Sequence, residues 1–168
     1  MAERNVVEEG PDDADLKIKT DALRLLSFRP RSVAELRQRL KMRRYPAGAV
    51  ENVIDMLTRQ GLLNDEKFVK LFAQSRISTR PVAKRQLEID LKKKGLSKEL
   101  IGTALADLKD YDEKAAAREL VFRRFEKMGN IPDEKKRSRI YGFLKRRGFD
   151  NDTIFSVLDG LFKDDNNG

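Results

Sequence analysis

Ile89–Leu100 reads IDLKKKGLSKEL. Three lysines stand directly before a glycine, inside a segment whose apolar residues are spaced as on a helix face. With Leu91 as origin, apolar residues fall at −4 (Leu87), +5 (Leu96), +10 (Ile101), +14 (Leu105) and +17 (Leu108). The same offsets from Leu40 select Leu36, Tyr45, Val50, Ile54 and Leu57, and from Leu144 they select Ile140, Phe149, Ile154, Leu158 and Leu161. All fifteen positions are apolar or aromatic in a chain that is 39% hydrophobic, so coincidence is a poor explanation. The three origins lie 51 and 53 residues apart, which makes this an internal repeat.

Offsets −4 and 0 share one helix face, and +10, +14 and +17 share another. Gly95 and Gly148 fall at +4, where a helix C-cap glycine belongs. The first repeat is read as turning through Tyr45-Pro46-Ala47-Gly48 instead. Ser97, and Asp150 or Asn151, suit the start of the following helix. A further helix precedes each pair, over about Asp15–Phe28, Asp65–Ile77 and Asp112–Met128. Ser32 with Glu35 fits a capping box, Pro81 and Pro132 fit early helical positions, and Gly61 and Gly129 fit helix ends. No stretch alternates with period two. The expected fold is all-α: an elongated tandem array of three three-helix repeats, 15–64, 65–111 and 112–162, with disordered tails at 1–14 and 163–168. One such repeat buries little apolar surface alone, so neighbours are expected to stack.

The window after the first helix of each repeat is basic. Arg29–Arg44 carries net +6, Arg76–Lys94 +5 and Lys135–Arg147 +7, in a chain of net +8, so the remainder is strongly acidic. Cations at a helix C-terminus complement the macrodipole by about 0.3–1 kcal/mol each. Consecutive residues fan about 100° apart around a helix, however, so three in a row cannot all serve the terminal carbonyls. The pattern therefore suggests a basic ridge of Lys41, Arg43, Arg44, Arg76, Arg80, Lys84, Arg85, Lys92, Lys93, Lys94, Lys145, Arg146 and Arg147, suited to phosphates or to an acidic protein groove. Phe122, Phe125, Phe149 and Phe155 sit at core spacings. Tyr141, one turn before Lys145, either stacks a base or borders the core with its hydroxyl in water.

Other chemistries find little support. Cysteine and histidine are absent, which removes disulfides, thiolate metal sites and the commonest acid–base residue. There is no GxxxxGK[ST] or GxGxxG phosphate loop. The paired acids Asp12-Asp13, Asp110/Asp112 and Asp164-Asp165 fall in caps or tails rather than in a metal site, which disfavours a carboxylate-metal nuclease. No apolar run is long enough to span a membrane, and the acidic N-terminus does not read as a signal peptide. A cytoplasmic, monomeric, non-enzymatic protein without cofactor is expected.

Three segments carry a family resemblance: ALRLLSFRPRSVAELRQRL, VIDMLTRQGLLNDEKFVKLFAQSR and LEIDLKKKGLSKELIGTAL. In this order they resemble the bacterial RecX family, with the join from Leu57 to Asp65 and the run Leu91–Leu96 the most specific pieces. The third repeat matches by pattern more than by residue. The chain departs from the family at Arg80-Pro81-Val82, where a glycine is common, and in the turn KMRRYPAGAVE. The resemblance implies tandem three-helix repeats and a regulator of the recombinase RecA. Such a regulator binds RecA–DNA filaments and inhibits recombinase activity, by blocking extension or promoting disassembly, and so limits strand exchange and the damage response. It implies RecA filaments as partner, with single- or double-stranded DNA met through the basic ridge. From the residues alone, a stand-alone DNA- or RNA-binding helical module, such as a transcriptional regulator, is the alternative.

Overall fold

A computed structural model describes residues 11–163, and the side-chain surroundings of 15–162. Its helices are α1 (Pro11–Phe28), α2 (Val33–Lys41), α3 (Ala47–Arg59), α4 (Asp65–Thr79), α5 (Lys84–Lys93), α6 (Lys98–Ala106), α7 (Glu113–Phe125), α8 (Asp133–Arg146) and α9 (Asn151–Lys163), with no strand among the described residues. The expected tails lie mostly outside those residues. Within them, α1 starts at Pro11, inside the span read as tail, and α9 runs through Lys163. A proline suits a first helical position because the amide it lacks has no partner there.

Local signals set most helix ends. The Ser32 hydroxyl accepts the Glu35 amide while the Glu35 carboxylate accepts the Ser32 amide, a complete capping box. Ser97 caps α6 through the Leu100 amide. Asp112 caps α7 through the amides of Lys114 and Ala115, and Asp150 accepts the Thr153 amide at 2.7 Å at the start of α9. Two expected ends fall elsewhere. Pro132 is the N-cap of α8 rather than a helical residue. Pro81 stands in the loop ahead of α5, because Val82 and Ala83 bury before the helix begins.

The chain divides into two compact units. One holds the described residues up to Phe68 together with Lys94–Leu96; the other holds Val69–Lys93 and the described residues from Ser97 onward. The first unit's core is Ile18 and Ala22 of α1, Leu36 and Leu40 of α2, Val50, Val53, Ile54 and Leu57 of α3, and Leu63. The second unit's largest core gathers Ala117 and Val121 of α7, Ile140 and Leu144 of α8, and Ile154, Val157, Leu158 and Phe162 of α9 around Phe149, with Ala83 at its edge. Each fully buried aliphatic chain contributes about 1.5–3 kcal/mol. Of the fifteen repeat positions none is exposed: they are buried or half-buried, and the three origins Leu40, Leu91 and Leu144 are fully buried.

Two readings of the turns and aromatics need correction. The first repeat's turn is not at Tyr45–Gly48: α2 ends at Lys41, Met42–Arg44 form the turn, and Gly48 lies inside α3. Arg44 is the true equivalent of Gly95 and Gly148. It takes the same left-handed conformation, with φ of 63° against 74° and 83°. Phe149 is buried and Phe125 packs on the core, but Phe122 and Phe155 are exposed, at 62% and 52%. Helical spacing puts them near the apolar stripe of α7 and α9, yet no element among the described residues of the second unit buries them.

Candidate functional site

The second helix of each repeat anchors its last turn with a fully buried leucine, Leu40, Leu91 or Leu144. The three residues that follow fan around the axis, and the structure gives each place its own surroundings. The first place points out and meets a polar partner nearby. Lys41 lies 3.7 Å from Glu51, Lys92 2.6 Å from Glu88, and the Lys145 ammonium donates to the Asn151 amide oxygen at 2.8 Å. Such exposed pairs contribute little to stability. The second place, Met42, Lys93 and Arg146, is exposed. Neither the Lys93 nor the Arg146 side chain has a hydrogen bond or ion pair among the described residues.

The third place is bonded back to the fold, half-buried at Lys94 and Arg147 and exposed at Arg43. Arg43 pairs with Asp21, which also accepts the Tyr45 hydroxyl at 2.6 Å. The bonds from Arg43 and Tyr45 hold the Asp21 carboxyl below its ordinary range. Lys94 donates to the Glu35 carboxylate at 2.6 Å, and Arg29 donates to the same carboxylate at 3.0 Å. Burial by itself raises the pKa of Glu35, but these two cations outweigh it and bring the carboxyl down to about 2. The Arg147 guanidinium donates to the Pro81 carbonyl at 2.8 Å. Its pKa is pushed down, first by burial and then by Arg76, Arg80 and Arg124. Arg43, Lys94 and Arg147 are thus tied to intramolecular partners.

The remaining predicted residues also separate. Arg76 is ion-paired with Asp90 at 2.8 Å. Lys84 is half-buried, and its backbone amide donates to Glu113 at 3.3 Å. Arg44, Arg80 and Arg85 are exposed, and their side chains make no hydrogen bond or ion pair among the described residues. In the second unit Arg85 and Lys145 come together on one cleft of about 450 Å³, lined also by Gln86, Ile89, Phe149 and Asn151. The Tyr141 hydroxyl donates to the same Asn151 oxygen at 3.2 Å. Its ring lies 6.0 Å from that of exposed Phe155, so Tyr141 borders the core with its hydroxyl on a polar rim. The sequence singles out Asn151 only as a candidate helix start, not as a partner of Lys145. Its position at the first turn of α9, just after the +4 glycine, is the signal available.

The described residues hold no cluster of three or more acids that could bind a metal ion, and no helix among them is long and apolar enough to cross a membrane. The arrangement is that of a binding surface: short helices, rigid turns and uncompensated cations on helix ends. This defines a three-helix repeat protein with cationic exposed turns.

Family models described as RecX first, second and third three-helix domains match residues 19–57, 64–105 and 111–158. A protein named Regulatory protein RecX from Mycolicibacterium smegmatis is 37% identical over 155 residues, covering 89% of this chain and 82% of its own. Proteins of the same name from Amycolatopsis mediterranei and Chlorobium phaeobacteroides are 31% and 32% identical, covering 88% and 90% of this chain and 85% and 98% of theirs. The chain belongs to the RecX family of regulatory proteins. The crystal structure of RecX from Lactobacillus salivarius superposes with a TM-score of 0.68 at 21% identity, covering 89% of this chain and 97% of that one, and shares the fold.

Proposed function

We propose that this chain regulates the RecA recombinase: it binds RecA–DNA filaments and inhibits recombinase activity, by blocking filament extension or promoting disassembly. One observation carries the reading: three RecX three-helix domains match in order along most of the chain. The surface chemistry supports it. Lys93, Arg146, Arg80, Arg85 and Arg44 are cations whose side chains make no hydrogen bond or ion pair among the described residues, and Lys41, Lys92 and Lys145 hold only loose surface partners. Such residues can exchange a solvated partner for a filament's anionic groups at little loss. Several modest contacts act together through effective concentration. On this reading the protein works as a cytoplasmic monomer, without cofactor or catalysis, in recombination and the damage response.

The test is charge reversal at unburied places only. Lys92→Glu, Lys93→Glu and Arg146→Glu combined should weaken inhibition of RecA's DNA-dependent ATP hydrolysis while leaving thermal unfolding near that of the parent. A folded triple variant that inhibits as the parent does overturns the role assigned to these cations. Failure of the parent itself to bind RecA filaments overturns the function.

A further inference from the structure

The second unit carries a cluster of guanidinium groups that the repeat pattern does not require. Phe143 of α8 is half-buried, and two cations lie against its ring: the guanidinium carbon of Arg124 at 4.5 Å from the ring centre and that of Arg147 at 4.7 Å. Arg124 comes from α7 and Arg147 from the residue after α8. The bond from Arg147 to the Pro81 carbonyl brings a third segment alongside, the Arg80-Pro81 step that follows α4. Arg80, Arg124 and Arg147 come from three different segments, and none has a carboxylate partner among the described residues. The neighbouring Arg76 differs, since Asp90 neutralises it.

A fold has no structural need to gather three cations without an acid. Like charges repel, and burying part of one adds a desolvation cost that folded proteins usually relieve with a carboxylate. Here the relief is partial: an aromatic face stabilises two of the guanidiniums and a carbonyl holds one. A guanidinium laid against a ring keeps its edge free, and that edge carries the N–H fork that fits an oxyanion bidentately; lysine offers no equivalent. The depressed basicity of Arg147, caused by burial and by Arg76, Arg80 and Arg124, agrees with a site short of negative charge.

We infer that Arg124 and Arg147, stacked on Phe143, together with Arg80, which adjoins the Pro81 carbonyl held by Arg147, form a binding site for a phosphodiester group of a nucleic-acid strand. A phosphate is favoured over a protein carboxylate for two reasons. Its oxygens take up N–H groups from several guanidiniums at once, where a carboxylate engages one fork and leaves the rest unbalanced. The site also lies along α8, whose Lys135–Arg147 window holds seven basic residues and no acid, a field suited to a polymer that repeats its charge. The inference refines the function proposed above by giving DNA contact to this cluster, and it holds whether or not RecA is present.

The experiment measures binding of a fluorescein-labelled oligothymidylate across a salt series, without RecA, by fluorescence anisotropy. Arg80→Gln with Arg124→Gln changes two exposed residues, so folding should persist, as thermal unfolding would check. Affinity should fall roughly tenfold for each guanidinium removed. The slope of log K against log salt should flatten by about 0.7 for each phosphate that is no longer neutralised. Arg147→Lys keeps the charge and loses the fork, so it should weaken binding with the slope nearly kept. A folded Arg80→Gln, Arg124→Gln protein with parental affinity and slope overturns the site. So does displacement of the oligonucleotide by inorganic phosphate far beyond the effect of chloride at equal ionic strength, which would assign the cluster to free phosphate. Loss of poly-glutamate binding with oligonucleotide binding unchanged would assign it to an acidic protein, and also overturns it. Oligonucleotide affinity without RecA bears on this site alone. Inhibition of RecA by the Lys92, Lys93 and Arg146 variant bears on the filament reading alone.

Discussion

Gly95 in the first unit and Gly148 in the second occupy equivalent places, yet the chemistry that seats them differs. In the first, the Lys94 carbonyl accepts the Ser32 hydroxyl at 2.6 Å, and the Lys94 ammonium pairs with Glu35. In the second, the Arg147 carbonyl accepts the Ala83 amide at 3.0 Å, and the Arg147 guanidinium bonds the Pro81 carbonyl. Ser32 and Ala83 are equivalent positions, as are Glu35 and Gln86. One place thus uses a side-chain hydroxyl and an ion pair where the other uses a backbone amide and a neutral acceptor. What both keep is the glycine. A side chain at Gly95 would strike the Cβ of Ala34, and one at Gly148 would come within 2.6 Å of the Cβ of Gln86. Arg44 completes the comparison: it has the same backbone conformation, carries a long side chain, and is exposed. The left-handed turn tolerates a side chain at some cost; the close packing against the start of a helix does not.

The largest effect should come from filling that space. Gly95→Ala and Gly148→Ala should each destabilise by about 2–5 kcal/mol, the left-handed penalty plus overpacking. Gly61→Ala, at φ 70° with no atom within 4 Å of an added Cβ, should lose only about 1–2 kcal/mol. Urea unfolding measures all three. If Gly95→Ala is no worse than Gly61→Ala, packing is not what demands the glycine.

Acid should separate the two places next. Glu35 has its folded pKa lowered to about 2 from 4.5. A group of this kind adds stability above its unfolded pKa and loses it as pH falls through the folded one. Between about pH 4.5 and 2 the first unit should therefore lose about 2–3 kcal/mol, while the Gln86 equivalent has nothing to titrate. Hydrogen exchange followed down this range should show the amides of Lys94–Leu96 losing protection before those of Ala83 and Arg147. Simultaneous loss at both would contradict the role given to Glu35.

A smaller change is expected from Arg147→Lys, about 1–2 kcal/mol for the weakened carbonyl bond and ring stacking. Lys94→Arg keeps its ion pair and should change little by comparison. Thermal unfolding of the two variants tests the asymmetry. Smallest of all, Arg44→Gly should stabilise by about 0.5–1 kcal/mol, since relief of the left-handed penalty exceeds the added unfolded-state entropy. A loss of stability on the same measurement would mean that the Arg44 side chain has an uncounted role.

The repeat is legible because it is written in local periodicity: fifteen apolar positions at fixed offsets, all of which the fold shelters. The caps at Ser32, Ser97, Asp112 and Asp150 are legible because each bonds an amide two or three residues away. The turn at Arg44 is hidden because arginine gives no sign of a left-handed backbone, and the proline and glycine downstream give a stronger signal of a turn. The exposure of Phe122 and Phe155 is hidden too, because helical spacing says which residues share a face and not whether another element covers it.

From the order of its residues alone, this chain determined its helices, its threefold repeat, its excess of positive charge at the second helix of each repeat, and its likeness to one family. Tertiary structure alone decided what those charges do. Lys94 meets Glu35 and Arg147 meets Pro81 across long stretches of intervening chain, while the side chains of Lys93 and Arg146, one residue earlier, make no hydrogen bond or ion pair among the described residues. Neighbours in sequence lie about 100° apart on a helix, so the same run of cations sends one inward and leaves another toward water, and only packing against distant residues settles which.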